Sequence, residues 1–172
     1  MKGSLHNQTL DQPLASRLSP RFCGSMPLLR NYQPADFETL WEIDQTCFPT
    51  EIAYSRREFA HYLRSAHAAC ILAVENSRIL GFILGHRSGH GGHIITLDVI
   101  PSARAKGIGS MLMNEIEKRL RTAGCDSILL EVAVNNSVAM RFYKRHGFSV
   151  LKTLRRYYPG DLDGLLMGKL LN

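Results

Sequence analysis

The stretch Val99-Ile100-Pro101-Ser102-Ala103-Arg104-Ala105-Lys106-Gly107-Ile108-Gly109 combines residue types and spacing that suit an anion. An apolar run ends at Pro101, a short loop follows, and a helix begins at the glycines. Glycine backbone can approach a ligand closely because no side chain intervenes. The helix N-terminus adds about half a positive charge. Together they form a cradle for a pyrophosphate, and Arg104 and Lys106 bring cationic charge beside it. A second reading stands next to this one: Gly107 and Gly109 only permit tight packing where a strand meets a helix. The segment lacks both the GxGxxG of dinucleotide-binding folds and the Gly-Lys-Ser/Thr of P-loop enzymes, which disfavours those classes.

These residues need elements to hold them. Pro27 to Tyr32 reads as a first strand. A helix runs from Pro34 to about Thr46, with Phe37, Leu40, Trp41 and Ile43 on its apolar face. Ser55, with Glu58 three residues on, opens a second helix through a capping box. Apolar runs at Ala69–Glu75 and Arg78–His86 flank Asn76-Ser77, a hairpin turn. Ser88–Gly92 reads as a glycine-rich loop and His93–Ile100 as a strand that Pro101 stops. Ile108, Met111, Leu112, Ile116 and Leu120 fall on one helical face, and Gly124 suits the C-cap. A buried strand follows at Ile128–Val134. Asn135-Asn136-Ser137 can cap a helix through Arg145, and strands close the chain near Phe148–Leu154 and Leu165–Leu170. The expected fold is α/β (α+β), a mixed central sheet of about seven strands flanked by about four helices.

The 172 residues fit one domain with a tail: residues 1–25 are expected to be flexible, and 26–172 to be the folded domain. A composition of 45% hydrophobic and 21% charged residues is that of an ordinary soluble protein. No apolar run reaches the roughly 18 residues of a membrane span, and no secretory leader is evident. The expected location is the cytoplasm. Cys23, Cys47, Cys70 and Cys125 form no CxxC pair, and the seven histidines show no zinc-finger spacing, so no metal is expected. A net charge of +6 and a pI of about 9.4 raise the question of an anionic partner. No RRM, KH or zinc-finger signature supports direct nucleic-acid binding.

Arg104-x-x-Gly107-x-Gly109 resembles the acetyl-CoA signature of the GNAT acetyltransferase superfamily. The segment from Leu130 to Phe148, with Glu131, Asn136, Ala139, Tyr143 and Gly147-Phe148 at matching places, is similar to a second motif of that family. Cys47-Phe48-Pro49, and Arg155-Arg156-Tyr157-Tyr158-Pro159 followed by Asp163 and Met167, resemble its RimI-type branch, the ribosomal-protein alanine acetyltransferases. The resemblance spans about residues 27–171. It implies the GNAT fold and acetyl-CoA as cosubstrate. The pantetheine arm would lie along Leu97, Asp98 and Val99. The pyrophosphate would lie over Arg104, Ala105, Lys106, Gly107, Ile108, Gly109 and Ser110, with Asn136 and Tyr143 in contact. Ala105 stands where many members have glycine, a departure expected to matter little because the helix-proximal glycines remain.

An amine must be neutral to attack a thioester. An α-amino group, with a pKa near about 8, needs less help than a lysine at about 10.4. Attack gives an oxyanion that backbone N–H groups can stabilise. Glu131 is the first choice for general base; its other reading is a solvated strand-end carboxylate, or an ion-pair partner of Arg141 or Arg155. Tyr143 is the candidate acid for the thiolate, or a ring packed in the core. His93 is a second candidate base, or a plain strand histidine. Tyr157 and Tyr158 would bind the acceptor peptide, or form an aromatic pair on an edge strand. Phe48 and Pro49 would form the opposite wall, or pack in the core. The expected acceptor is a protein N-terminus, a ribosomal protein among the candidates. A small-molecule amine or a lysine side chain stays open as an alternative, as does a monomer or a dimer.

Overall fold

The computed structural model describes residues 26–171, so the expectation of a tail at residues 1–25 lies outside the described residues. The strands are β1 (Leu28–Asn31), β2 (Ala68–Glu75), β3 (Arg78–Ser88), β4 (Gly91–Val99), β5 (Ser127–Ala133), β6 (Ser149–Tyr158) and β7 (Leu162–Leu170). The helices are α1 (Phe37–Cys47), α2 (Arg56–Arg64), α3 (Ile108–Thr122) and α4 (Ser137–Arg145), with short 3-10 turns at Pro34–Asp36 and Pro101–Ala103. One sheet contains all seven strands in the order β1-β2-β3-β4-β5-β7-β6. Every pairing is antiparallel except β4 with β5. Among the described residues no helix is long and apolar enough to cross a membrane.

The middle of the sheet is covered on both faces, so β2 and β3 read as nearly continuous apolar runs, while β6 at the edge is exposed along most of its length. Ile71, Ile83, Ile94, Ile128 and Leu130 pack with Leu112, Met113 and Ile116 of α3. Cys70, Leu72, Phe82 and Leu84 pack on the other face with Leu40 and Ile43 of α1 and Phe59 of α2. Residues two apart on a strand thus share a face.

The feature that shapes the site is a divergence. β4 and β5 pair only between Gly91–His93 and Ser127–Leu129. Leu84 faces Thr96 and Gly85 faces Ile94, so Ile95 is an extra residue in β4. Such a bulge bends its strand. Beyond it, β4 runs on to Val99 without β5 beside it, and a wedge opens between the two strands.

The glycine-rich loop expected at Ser88–Gly92 is in fact a tight hairpin. Ser88 pairs with Gly91 and Arg87 with Gly92. Gly92 lies in β4, where a Cβ would meet Leu120 at 2.7 Å, so the close packing of α3 accounts for the glycine. β6 runs four residues past its expected end because Arg156 takes a left-handed φ of 52°. The pairing slips between Leu154 and Tyr158, and the strand continues beyond the slip.

Asp44 sits on the apolar stripe of α1 with no exposed surface. Its Oδ2 accepts from the backbone N–H of Tyr54 at 2.9 Å and from Gln45 at 3.1 Å, while Oδ1 has no partner. It thereby ties down the α1–α2 loop. Burial pushes its carboxyl from 3.8 up to about 6, against the two hydrogen bonds. Between those values the folded chain holds a proton that the unfolded chain has lost. Stability therefore falls as pH rises from about 4 to about 6, and this contribution is flat above. Asp44→Asn keeps an acceptor and removes the buried charge. Calorimetry at pH 7.5 should show Tm higher by roughly 3–6 °C, about 1–2 kcal/mol, with little gain at pH 4. An unchanged or lower Tm at pH 7.5 would show that the charge carries no penalty.

Candidate active site

The loop between β4 and α3 has the backbone that the sequence suggests for an anion cradle. Ala105 has φ of 59° and Gly107 of 83°, and Gly107 is the N-cap of α3. Successive amides around such left-handed residues form a concavity that takes anions. A Cβ on Gly107 would meet nothing within 4 Å, so tight packing does not explain this glycine; its backbone angle does. Gly109 lies against Phe142 of α4, with 3.4 Å available to a Cβ. Alanine at 105 adopts an angle that disfavours L-residues by about 1–2 kcal/mol. Ala105→Gly should therefore leave Tm equal or raise it by up to roughly 3 °C, with the unfolded chain's added freedom offsetting part of the gain. A fall in Tm of more than 2 °C in a thermal melt would contradict this.

The wedge presents a free strand edge. The N–H of Ile100 donates to Leu80, so even-numbered residues here turn their backbone toward β3 and the odd-numbered Leu97 and Val99 turn theirs toward the wedge. The carbonyl of Val99 accepts from Arg104 Nε at 2.9 Å and from Cys47 Sγ at 3.5 Å. The carbonyl of Ile95 accepts from the Tyr54 hydroxyl at 3.3 Å. Leu97 lies between them, facing a gap in which no strand of the described residues pairs with it. Asp98 turns its backbone to Phe82, and its side chain is buried, 1% exposed. Burial and the nearby Asp44 drive its carboxyl far above the carboxylate range, against hydrogen bonds from Thr96 and the charge of Arg104.

His93 and Glu131 meet where the wedge begins. His93 Nε2 lies 2.7 Å from Glu131 Oε2, with the side chains 32% and 20% exposed. His93 is in register with Leu129, so Glu131 lies two residues further along β5 on the same face. Neither Arg141 nor Arg155 takes the carboxylate. His86 stacks edge-on against His93 with centroids 5.5 Å apart.

Tyr143 reaches this region from α4, on the opposite face. Its ring packs at 5.4 Å from Phe142 and 5.8 Å from Phe148. Burial holds its phenol well above the ordinary value, with further upward pushes from Asp98 and Tyr158. Tyr143 packs against the core on the α3 side of the sheet. Asn136 caps α4, its Oδ1 accepting from Ala139 N–H at 3.0 Å; its side-chain amide N–H groups are the part left for a ligand.

Two walls of tyrosine stand over the pair. The bulge at Arg156 turns the consecutive Tyr157 and Tyr158 to one side of β6, with ring centroids 5.0 Å apart. Burial, with Tyr157 and Glu131 close by, pushes Tyr158 up to about 12. Opposite, Tyr54 and Tyr62 pack edge-on at 5.4 Å, and burial holds the Tyr54 phenol far up, with Tyr62, Asp44, Tyr157 and Tyr158 adding to it. Phe48 and Pro49 lie in the same α1–α2 loop; Phe48 N–H donates to Asp44 and the Pro49 carbonyl accepts from Ile52 and Ala53. Sequence reasoning missed Tyr54, Tyr62 and Asp44. Asp44 left a signal, since an acid on the apolar stripe of a helix needs a reason.

Comparison with known proteins agrees with this architecture. The acetyltransferase (GNAT) family model matches residues 37–148. An uncharacterised N-acetyltransferase of Methanocaldococcus jannaschii is 34% identical over 144 residues, covering 83% of this chain and 90% of that protein. An N-alpha-acetyltransferase of Sulfurisphaera tokodaii is 28% identical over 153 residues, covering 81% and 90%. Among solved structures, the ribosomal-protein-S18-alanine N-acetyltransferase of Escherichia coli superposes with a TM-score of 0.79 at 21% identity, covering 86% of this chain and 95% of that one. The chain belongs to the GNAT family of N-acetyltransferases.

Proposed function

We propose that this protein moves an acetyl group from acetyl-CoA to the free α-amino group of a protein N-terminus. The observation that carries the reading is the His93–Glu131 pair, 2.7 Å apart at the mouth of the β4–β5 wedge and overlooked by Tyr157 and Tyr158. Acetyl-CoA supplies an acyl thioester. The open edge at Leu97 suits the amides of a pantetheine arm, and the amides of 105–110 suit a pyrophosphate.

Glu131 and His93 act on the acceptor. With the Nε2 proton held toward Glu131, His93 presents Nδ1 as an acceptor for the ammonium proton; a Glu131 oxygen is the alternative acceptor. An α-amino group with a pKa near about 8 is mostly protonated at pH 7 but keeps roughly a tenth in the neutral form, whereas a lysine at about 10.4 keeps about two-hundredfold less and needs more help from a base. Tyr143 carries a phenolic proton that can reach the departing sulfur. Tyr157, Tyr158, Phe48 and Pro49 would flank the first acceptor residues. No metal is needed for these steps. Ribosomal proteins are candidate acceptors by analogy with the Escherichia coli enzyme named above. A reducing cytoplasm suits Cys47, Cys70 and Cys125, which are free thiols in the fold.

The test is release of CoA from acetyl-CoA with short peptides, each free or N-terminally blocked, alongside spermine and an aminoglycoside. Release only with free N-termini is the expected result. Release with blocked lysine peptides or with polyamines would replace the acceptor class.

A further inference from the structure

The pyrophosphate cradle has a support that the mechanism above does not use. His146, the C-cap of α4, places Nε2 3.0 Å from the hydroxyl of Ser110, which is in the first turn of α3. The imidazole packs on Phe142 with centroids 4.5 Å apart, and Phe142 lies against Gly109. The end of α4 is thus fastened to the first turn of α3 at two consecutive residues, Gly109 and Ser110. The charged groups facing the imidazole come from three elements: Glu117 of α3, Lys169 of β7 and Arg145 of α4 itself. Lys169 holds Glu117 Oε2 at 2.7 Å, and Glu117 Oε1 is buried without a partner.

A serine hydroxyl has one proton to donate. Given to the imidazole, it leaves only lone pairs facing a phosphate, which is repulsive. The reverse order, Nε2–H to Oγ and then O–H onward, delivers a donor to an anion. We infer that His146 is a positioning residue for the phosphate end of acetyl-CoA: its Nε2–H fixes the Ser110 oxygen so that the Ser110 proton is aimed at the pyrophosphate. This inference rests on the reading of residues 105–110 as the pyrophosphate cradle. Burial lowers the imidazole pKa, with Lys169 and Arg145 in support and Glu117 opposing, so the relay works through neutral imidazole at pH 7.5. Protonation at lower pH keeps Nε2–H in place and strengthens the donor chain. Coenzyme affinity should therefore hold or rise as pH falls, where an acceptor role for His146 would make it drop.

The experiment measures dissociation constants of CoA by calorimetry, and of pantetheine by competition, for the wild type, Ser110→Ala, His146→Ala, His146→Gln and the double alanine variant. Each single alanine variant should weaken CoA about ten- to a hundredfold, the scale of one hydrogen bond to a charged group. The double variant should be no weaker than the worse single. Pantetheine lacks the pyrophosphate, so the CoA-to-pantetheine affinity ratio should fall by a similar factor. Glutamine, which can donate from its amide, should recover most of the loss. Equal weakening of both ligands would reduce His146 to a packing role and overturn the inference, as would a glutamine variant no better than alanine. Failure of the wild type to bind CoA at all would instead overturn the acetyl-CoA reading itself.

Discussion

Replacing Glu131 with glutamine should lower turnover on a free N-terminal peptide by about 10²–10³-fold at neutral pH, with acetyl-CoA affinity changed by less than about threefold. The size follows from two losses at one position. Glutamine removes the carboxylate, whose Oε2 lies 2.7 Å from His93 Nε2. It can also donate its own N–H to that nitrogen, which moves the imidazole proton to Nδ1 and closes the site where an acceptor proton would land. His93→Ala divides the roles. If His93 takes the proton, its loss should match that of Glu131→Gln, and the double variant should be hardly worse than either single. If a Glu131 oxygen takes it, His93→Ala should cost only about tenfold, since the carboxylate survives. The measurement is kcat and kcat/KM from pH 5.5 to 9. The acidic limb should shift or flatten in Glu131→Gln. A variant with wild-type turnover and an unmoved profile would leave deprotonation to bulk water and remove the base role from this pair.

The parts of this molecule that were legible in sequence depend on neighbours within about ten residues. The Ser55–Glu58 capping box forms as expected, each side chain meeting the other's backbone N–H. Asn76 and Ser77 both take positive φ, 48° and 63°, as a two-residue hairpin turn requires. The apolar stripe of α3 was readable from its spacing. The hydroxyl contact of Ser110 with His146 and the contact of His93 with Glu131 span 36 and 38 residues, and no local pattern encodes them. The bulge at Ile95 was hidden because the run from Ile94 to Val99 reads as an unbroken strand. The insertion of β7 between β5 and β6 is a choice among pairings that similar apolar patterns permit. Gly81 lies inside the run expected as β3, and the reason for glycine there was not local: a Cβ would lie 2.4 Å from the Asp98 carbonyl, a constraint set by a strand 17 residues away. Asp98 did carry a signal, an acid inside an apolar run, but its burial against the α1 face could be learned only from the fold.

Tyr143→Phe should lower kcat by about 10- to 100-fold, leave acetyl-CoA affinity nearly unchanged, and show the same deficit across pH 6–9. Phenylalanine keeps the ring contacts with Phe142 and Phe148, so Tm should stay within about 2 °C; what disappears is one O–H. The environment decides what that O–H can do. Burial holds the phenol well above its ordinary 10, whereas an alkyl thiol titrates near 8.5. Complete proton transfer from Tyr143 to a thiolate is therefore uphill, at 1.36 kcal/mol per unit of difference. Donation of a hydrogen bond to the growing negative charge on sulfur is not subject to that penalty, and it strengthens as the charge develops. A charged hydrogen bond of this kind contributes about 1.5–3 kcal/mol, which converts to the stated range of rates. Because the phenol stays protonated throughout the assay range, the deficit carries no pH dependence of its own. Wild-type turnover in Tyr143→Phe would confine the residue to packing. A deficit that grows steeply toward acidic or basic pH would mean that the Tyr143 proton is fully exchanged during the reaction.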